Sequence, residues 1–439
     1  MELRSGRLLE SRKFVDSRPR KRCRTSYSND PLNDDCLLLI FQAMEHTPTT
    51  LCTLRLVCRR WTRLVEAACV WKTIVLDRQQ LGTQYQKFMG SRLVQIHRQH
   101  VQRLTLRSAI KHYALNFASL SIFSSLTCLN TSNMSFPEIQ SLLSQLHNLE
   151  VINCQQVRHH CDGPNFSLER FSHLRRLREL RLCHAGISGF DHHKYYNVYG
   201  PPRWLSPTLK VLSIKHLIDE EELEYTDPAK DELDWLARET RVVAKYRYLS
   251  QLPNITSLTF GFCSSWSARV WSECLHGSCP LLEDLHLIGW SGDKTHMEWS
   301  DRMKTVWLDA ERSMSTWLKQ LTSLKRLELT NFFAGYGVIN GIKDLDIDSL
   351  TVTFQTDVSH MLKDWTSGKL GGKLEDLITS AFGGHQTKHP RTLTIVLPVY
   401  SDMRSREWAK EIKRKALQEV KYDIDIRIHF TGILMFDTQ

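Results

Sequence analysis

Eight times along this chain one spacing recurs: an apolar residue, two others, Leu, one other, an apolar residue, two others, an apolar residue. The copies are Val101/Leu104/Leu106/Ala109, Leu146/Leu149/Val151/Cys154, Leu177/Leu180/Leu182/Ala185 and Leu209/Leu212/Ile214/Leu217. Ile255/Leu258/Phe260/Cys263, Leu282/Leu285/Leu287/Trp290, Leu324/Leu327/Leu329/Phe332 and Ile342/Leu345/Ile347/Leu350 follow. A degenerate copy stands at Leu126/Leu129/Thr131/Met134. Chance alone would supply roughly three such matches, so eight is an excess. Similar lead-ins precede several copies: Leu146-His-Asn-Leu149, Leu252-Pro-Asn-Ile255, Pro280-Leu-Leu-Glu283 and Leu321-Thr-Ser-Leu324. The Leu-x-apolar centre reads as a short strand with alternate side chains on opposite faces. The starts of the copies hold no single period, which places insertions between them. Helical insertions are expected over Pro137 to Leu146, Lys230 to Leu249, Ser267 to Leu275, Met297 to Leu318 and Arg404 to Val420. Strands Thr392 to Leu397 and Asp423 to Phe430 are expected to cap the array. An irregular α/β domain without a true repeat is the alternative.

The N-terminal stretch Asp30 to Ile74 has a different period. Leu37, Ile40, Phe41 and Met44 recur at helical spacing, as do Leu54, Val57, Cys58 and Trp61, and then Trp61, Leu64, Val65 and Ala68. Asn33 is a candidate N-cap of the first helix; Thr47 followed by Pro48 supplies an N-cap and a first-turn proline for the second. A unit this small has more apolar stripe than its own core can bury, so a partner must cover the surplus. Arg78 to Gln99 reads as a linking helix.

This stretch resembles an F-box, on Leu32, the acids Asp34 and Asp35, the run Leu37-Leu38-Leu39-Ile40-Phe41, the string Leu54-Arg55-Leu56-Val57-Cys58-Arg59-Arg60-Trp61, Leu64 and Trp71. It departs from the family at Asn33, where a proline is usual, and in the length of the loop from Glu45 to Thr50. The resemblance implies docking to a Skp adaptor, and through it to cullin and RING subunits, by Leu32, Ile40, Phe41, Leu54, Val57, Cys58, Trp61 and Trp71. The recurring phrase is similar to the strand segment of leucine-rich repeats, in which the apolar positions point inward and the intervening positions face a concave binding surface. Cys154 and Cys263 stand where cysteine-type repeats place their cysteine. The fold class is therefore α+β to α/β. A basic tail over residues 1–29, without apolar periodicity and expected to be disordered, precedes a small three-helix F-box over 30–76. A linker over 77–100 leads to an irregular leucine-rich-repeat solenoid over 101–439.

Charge narrows the choice of partners. Residues 1–24 carry nine Lys or Arg against three acids, a net +6, leaving only +4 of the +10 for the rest. That is a basic tail on a nearly balanced body, which argues against a nucleic-acid-binding body. Arg20, Lys21, Arg22 and Arg24 form either a nuclear import signal or a solvated tail, so cytoplasm, nucleus or both are expected. No apolar run approaches the ~18 residues of a membrane span, and the polar, arginine-rich start leads us to expect no secretory signal. The twelve cysteines include no Cys-x-x-Cys pair and read as free thiols. Cys154, His159, His160, Cys161, His173, Cys183, His184, His192 and His193 are dense, but their spacing fits no zinc pattern, so no metal is expected.

No phosphate loop, nucleophile elbow or zinc-protease helix motif occurs, so neither a cofactor nor a catalytic residue is expected. Asp344, Asp346 and Asp348 alternate as on one strand face, either to collect a cation or basic peptide or simply to be solvated. Phe190 to Trp204 is rich in aromatics around Pro-Pro; His192, Tyr195, Tyr196, Tyr199 and Trp204 are candidates for substrate contact, the alternative being a loop folded on the outer face. Asp219 to Asp227 carries six acids in nine positions. The expected protein is a non-catalytic substrate receptor of an SCF-type ubiquitin ligase with an unknown protein substrate. Alternatives are an F-box scaffold acting outside a ligase and, less favoured, an enzyme carrying an F-box.

Overall fold

In the computed structural model the recurring phrase becomes a run of short strands. The structure describes residues 32–44, 46–76, 85–107, 117–132, 134, 139, 142–155, 171, 173–183, 206–215, 240, 243, 249–250, 252–261, 269–288, 301–330, 336–353, 374–382, 391–398 and 424–431. Twelve strands form a parallel sheet in which spatial order equals chain order. They are β1 Thr73–Leu76, β2 Arg103–Arg107, β3 Cys128–Ser132, β4 Val151–Gln155, β5 Glu179–Cys183 and β6 Val211–Lys215. Then come β7 Ser257–Gly261, β8 Asp284–Ile288, β9 Arg326–Thr330, β10 Ser349–Thr353, β11 Arg391–Pro398 and β12 Ile424–Thr431. Parallel neighbours in sequential order require each connection to return to the same end of the sheet, which is the topology of a leucine-rich-repeat-like array.

The register explains the spacing. Leu104, Leu129, Ile152, Leu180, Leu212, Leu258, Leu285, Leu327, Leu350 and Leu393 are paired strand to strand along one row. Two residues on, Leu106, Thr131, Cys154, Leu182, Ile214, Phe260, Leu287, Leu329, Val352 and Ile395 make a second row. All twenty are buried. At ~1.5–3 kcal/mol for each large aliphatic side chain buried, these rows are the main source of the array's stability. Each lead-in turn adds a third buried row, from Leu126 and Leu149 to Leu282 and Leu324.

Six of the eight sequence copies and the degenerate one fall in this register. Two slip. The copy read from Leu146 is displaced by three residues, because Ile152 and Cys154, not Leu149 and Val151, are the inward strand positions. Leu146, Leu149 and Ile152 follow one another at intervals of three, so the apolar spacing also fits a second frame in which Ile152 takes the place of the leucine. The copy read from Ile342 is displaced by five: the strand is Ser349–Thr353, with Leu350 and Val352 inward. Asp344, Asp346 and Asp348 therefore lie in the turn leading to β10 and not on a strand face. The strands expected near 392 and 423 are β11 and β12, and they extend the same sheet.

The N-terminal helices are α1 Asp34–Ala43, α2 Pro48–Val57 and α3 Arg59–Val65. Asn33 caps α1 by accepting from the Cys36 amide at 2.7 Å, and Thr47 caps α2 by accepting from the Thr50 amide at 3.1 Å. The stripe read through Leu54, Val57, Cys58 and Trp61 is broken. Cys58 is extended, with φ −162°, and ends one helix while capping the next. The single linking helix is also replaced by two short ones, α4 Tyr85–Met89 and α5 Arg92–His97.

Of the helical insertions, α6 Asp301–Leu318 falls where expected, and a π-helical segment Val270–Leu275 occupies the place of another. Trp271 of that segment packs on Trp317 of α6 at 5.4 Å and on Phe260 of β7 at 6.3 Å between ring centres. Sequence reading missed α7 Tyr336–Ile342 and α8 Leu374–Phe382. Gly341 in α7 lets that helix approach α6: a Cβ there would stand 2.7 Å from the Leu318 Cβ. The expected insertion helix at 404–420 lies outside the described residues, as does Cys263.

Candidate docking and recognition surfaces

Two surfaces present themselves, one at each part of the chain. In the N-terminal module, Leu37 and Phe41 of α1 and Leu51 and Leu54 of α2 are buried with Leu64, Val65 and Trp71. Trp61 meets Phe41 edge-on at 5.0 Å, and the Trp71 indole donates to the Val65 carbonyl at 2.8 Å. A guanidinium fastens the start of α1 to α3: Arg60 contacts the Asp34 carboxylate at 2.6 Å and donates to the Leu32 carbonyl at 2.7 Å. That hydrogen bond, with the charges of Arg60 and Arg63, holds the Asp34 carboxyl below the usual carboxylate range.

The expected docking residues divide. Phe41, Leu54 and Trp71 are core. Trp61 is partly buried against that core. Leu32 at 39 %, Ile40 at 44 %, Val57 at 55 % and Cys58 are exposed. Leu39 at 65 %, Met44 at 41 % and Leu56 at 86 % join them, although sequence reading left these three off the site. Part of the signal was available: Leu37 and Phe41, one turn apart, define the inward line of α1, so Cys36 and Leu39 must point elsewhere, whereas Ile40, three residues from Leu37, stands at the edge of that line and only the packing leaves it exposed. Short helices that bury one line and leave another apolar line in water have the anatomy of a surface waiting for cover.

This module is continuous with the array. Its last segment is β1, which pairs with β2, Ile74 to Leu104 and Leu76 to Leu106. The loop between α1 and α2 covers the other edge of β1: the Val75 amide donates to the His46 carbonyl at 3.0 Å. The His46 ring reaches the carbonyl oxygens of both Thr73 and Phe41. An open parallel sheet needs its edge covered, and here the docking module covers it. From α5, His97 stacks on Trp71 at 4.6 Å with the rings 8° from parallel.

On the array, the residues between the buried rows share the outer face of the sheet. The middle row includes Thr105, Asn130, Asn153, Arg181, Ser213, Thr259, His286 and Glu328. Its charges are largely spent on neighbours. Arg181 binds Glu179, Arg326 binds Asp284, and the His286 ring lies 3.4 Å from Glu328 and 2.8 Å from Thr330. The face is thus polar and mostly small, without an aromatic anchor among the described residues.

Of the dense cysteine and histidine patch, the described members disperse. Cys154 is in the core, where burial pushes its thiol up to about 11. His173 stands in a turn, its ring bonded to the Leu143 carbonyl at 3.0 Å, and Cys183 is on β5. No group able to hold a metal ion occurs among the described residues. Nor is any described helix long and apolar enough to cross a membrane. His192, Tyr195, Tyr196, Tyr199 and Trp204, and the basic Arg20, Lys21, Arg22 and Arg24, lie outside the described residues.

Residues 34–77 match the F-box-like family. Among solved structures, a leucine-rich-repeat protein of Leptospira interrogans is similar at 12 % identity, over 87 % of this chain and 100 % of that one, with a TM-score of 0.28. No curated protein sequence matches the chain. The chain is an F-box-like segment running directly into a leucine-rich-repeat-like array.

Proposed function

We propose that this chain is the substrate-recognition subunit of an SCF-type ubiquitin ligase. The observation that carries the reading is the exposed apolar line of the F-box-like segment, Leu39, Ile40 and Leu56 above all, on helices whose inward residues Leu37, Phe41, Leu51 and Leu54 are already buried. A Skp adaptor would cover that line, and cullin and RING subunits would join through the adaptor. The array would hold the substrate. Ubiquitin transfer would then be accelerated by proximity, with a charged conjugating enzyme supplying the chemistry and no catalytic residue in this chain.

The continuity of β1 with the sheet suits this role, because a substrate held on the array keeps a fixed relation to the docking module. It also decides which experiment is clean. Deleting the whole segment would strip β1 from the sheet and bare the edge of β2, so surface exchanges are preferable. With proteasomal turnover blocked, the intact chain should co-purify adaptor, cullin and substrate, while an Ile40→Glu/Leu56→Glu variant loses adaptor and cullin and keeps substrate. Adaptor without cullin in the intact chain would instead indicate a scaffold acting outside a ligase. Arg20, Lys21, Arg22 and Arg24 are assigned to nuclear import; alanine at all four should shift the protein to the cytoplasm, and an unchanged distribution would leave only a solvated tail.

A further inference from the structure

Three consecutive lead-in turns stand out on the rim of the array: 145–150 before β4, 173–178 before β5 and 206–210 before β6. The second and third carry Arg175, Arg176, Arg178 and Lys210, all exposed. Glu150 is the one carboxylate in the three turns. No ion pair involves any of these four cations among the described residues. Elsewhere on the rim the charges are mixed or acidic: Lys325 contacts Asp346, and Glu283 and Asp348 hold the equivalent positions before β8 and β10. The body of the chain is close to neutral, so this concentration is local.

The two basic turns are also held rigid. The Ser206 hydroxyl, on a residue only 6 % exposed, donates to the Arg175 carbonyl at 2.9 Å. The Thr208 hydroxyl donates to the Leu177 carbonyl at 2.9 Å, and the Lys210 amide to the Arg178 carbonyl at 2.8 Å. On one side the His173 ring bonds to the Leu143 carbonyl, and on the other the Asn254 amide donates to the Pro207 carbonyl at 2.8 Å. The backbones at Glu150, Arg178 and Lys210 therefore lie side by side at the spacing of neighbouring strands, ~4.8 Å, with the cations on the side toward β6. Four exposed cations gathered on two neighbouring turns raise the local positive potential, which favours an anionic partner. Rigid turns also lower the ordering cost of binding.

We propose that the turns leading into β5 and β6, with Arg175, Arg176, Arg178 and Lys210, bind an acidic, carboxylate-rich segment of the protein substrate. This rests on the substrate-receptor reading. An extended segment with acids at alternate positions presents its carboxylates on one side. Guanidinium groups take carboxylates by paired hydrogen bonds, which adds direction to the attraction. The near-neutral body favours a peptide over a nucleic acid, whose binding draws on many cations along an extended track.

The test uses the full chain and a fluorescein-labelled peptide of alternating Glu and Gly, with a Gln/Gly peptide as control, read by anisotropy. The acidic peptide should bind and the control should not. Arg175→Glu/Arg178→Glu/Lys210→Glu should weaken binding by about tenfold or more, since reversal converts attraction to repulsion. Lys319→Glu/Lys343→Glu, exposed cations elsewhere, should leave it unchanged. Thermal melts of both variants confirm folding. Equal binding of the two peptides, or an indifferent triple variant, overturns the proposal. So does equal, equally sensitive binding of a single-stranded oligonucleotide of the same charge, which marks a generic polyanion surface. If the peptide binds only after the acids of 219–227 are changed to amides, the occupant is the chain's own acidic run and the proposal fails. Adaptor and cullin co-purification is scored on the same triple variant: it should persist there, so a failure of the ligase reading is seen separately.

Discussion

Arg391 and Asp346 are joined across 45 residues of sequence by a 2.9 Å contact in which the guanidinium is buried and the carboxylate is half in solvent. Arg391 also donates to the Phe382 carbonyl at 3.1 Å and lies 5.8 Å from the centre of the Phe382 ring. One side chain thus ties the start of β11 to the end of α8 and to the turn before β10. Arg391→Ala should cost about 2–4 kcal/mol in a denaturant titration, since it empties a buried volume and orphans a carbonyl. Asp346→Ala should cost about 1.5–3 kcal/mol, because it removes a carboxylate partner of the buried cation. Arg391→Met should recover part of the loss. If all three variants melt with the wild type, the strut is not a stabilising element.

The split of the docking residues into core and surface makes a second prediction. Phe41→Ala and Trp71→Ala should each destabilise the module by about 3–5 kcal/mol. Because β1 belongs to the sheet, hydrogen exchange should rise in β2 and β3 as well as in the helices. Ile40→Glu and Leu56→Glu should leave the exchange pattern intact. Exchange confined to residues 32–76 in the core variants would show that module and array are energetically separate.

His97 packs the short helix α5 onto Trp71 of the N-terminal module and brings a pH dependence with it. Burial lowers its pKa below 6.5, His100 and Arg55 push the same way, and Glu66 opposes them. The ring has no partner for its Nδ1 among the described residues. A histidine whose folded pKa is depressed binds its proton more readily when the chain is unfolded, so stability is complete above the ordinary histidine pKa and falls as the pH drops through it. Between about pH 7.5 and about pH 5.5 the melting temperature of the wild type should fall more than that of His97→Phe. Parallel curves would remove His97 from the account.

On the proposed substrate-receptor reading, substrate choice would lie in the array, including the aromatic segment 190–204. Replacing residues 190–204 by a Gly-Ser linker should lengthen substrate half-life in cells and leave adaptor pull-down unchanged. Unchanged half-life would move recognition to the outer face and rim of the sheet alone. Loss of both would mean that the segment supports the fold.

Much of this was legible in the residues. Caps at Asn33 and Thr47, the helical spacing of Leu37 and Phe41, and the Leu-x-apolar strands obey local rules of period and hydrogen bonding that act within a few residues. Local rules failed where a second frame shared the apolar spacing and the leucine favoured the wrong one, as at Leu146/Leu149 against Leu149/Ile152. There the frame was chosen by the neighbouring strands, since a shift by three reverses which side chains face inward and would place Asn153 in the core in place of Cys154. The same holds for the docking surface. Composition determined that a stripe of apolar residues exceeded what three helices bury. Only the packing of α1 on α3 and on the turn that carries Val70 and Trp71 decided that Leu37 and Phe41 go inside while Leu39, Ile40 and Leu56 remain in water. The meeting of Arg391 with Asp346, of His97 with Trp71, and of the basic turns before β5 and β6 are contacts between residues distant in the chain. They depend on how the insertions return each strand to the sheet, which no local pattern encodes.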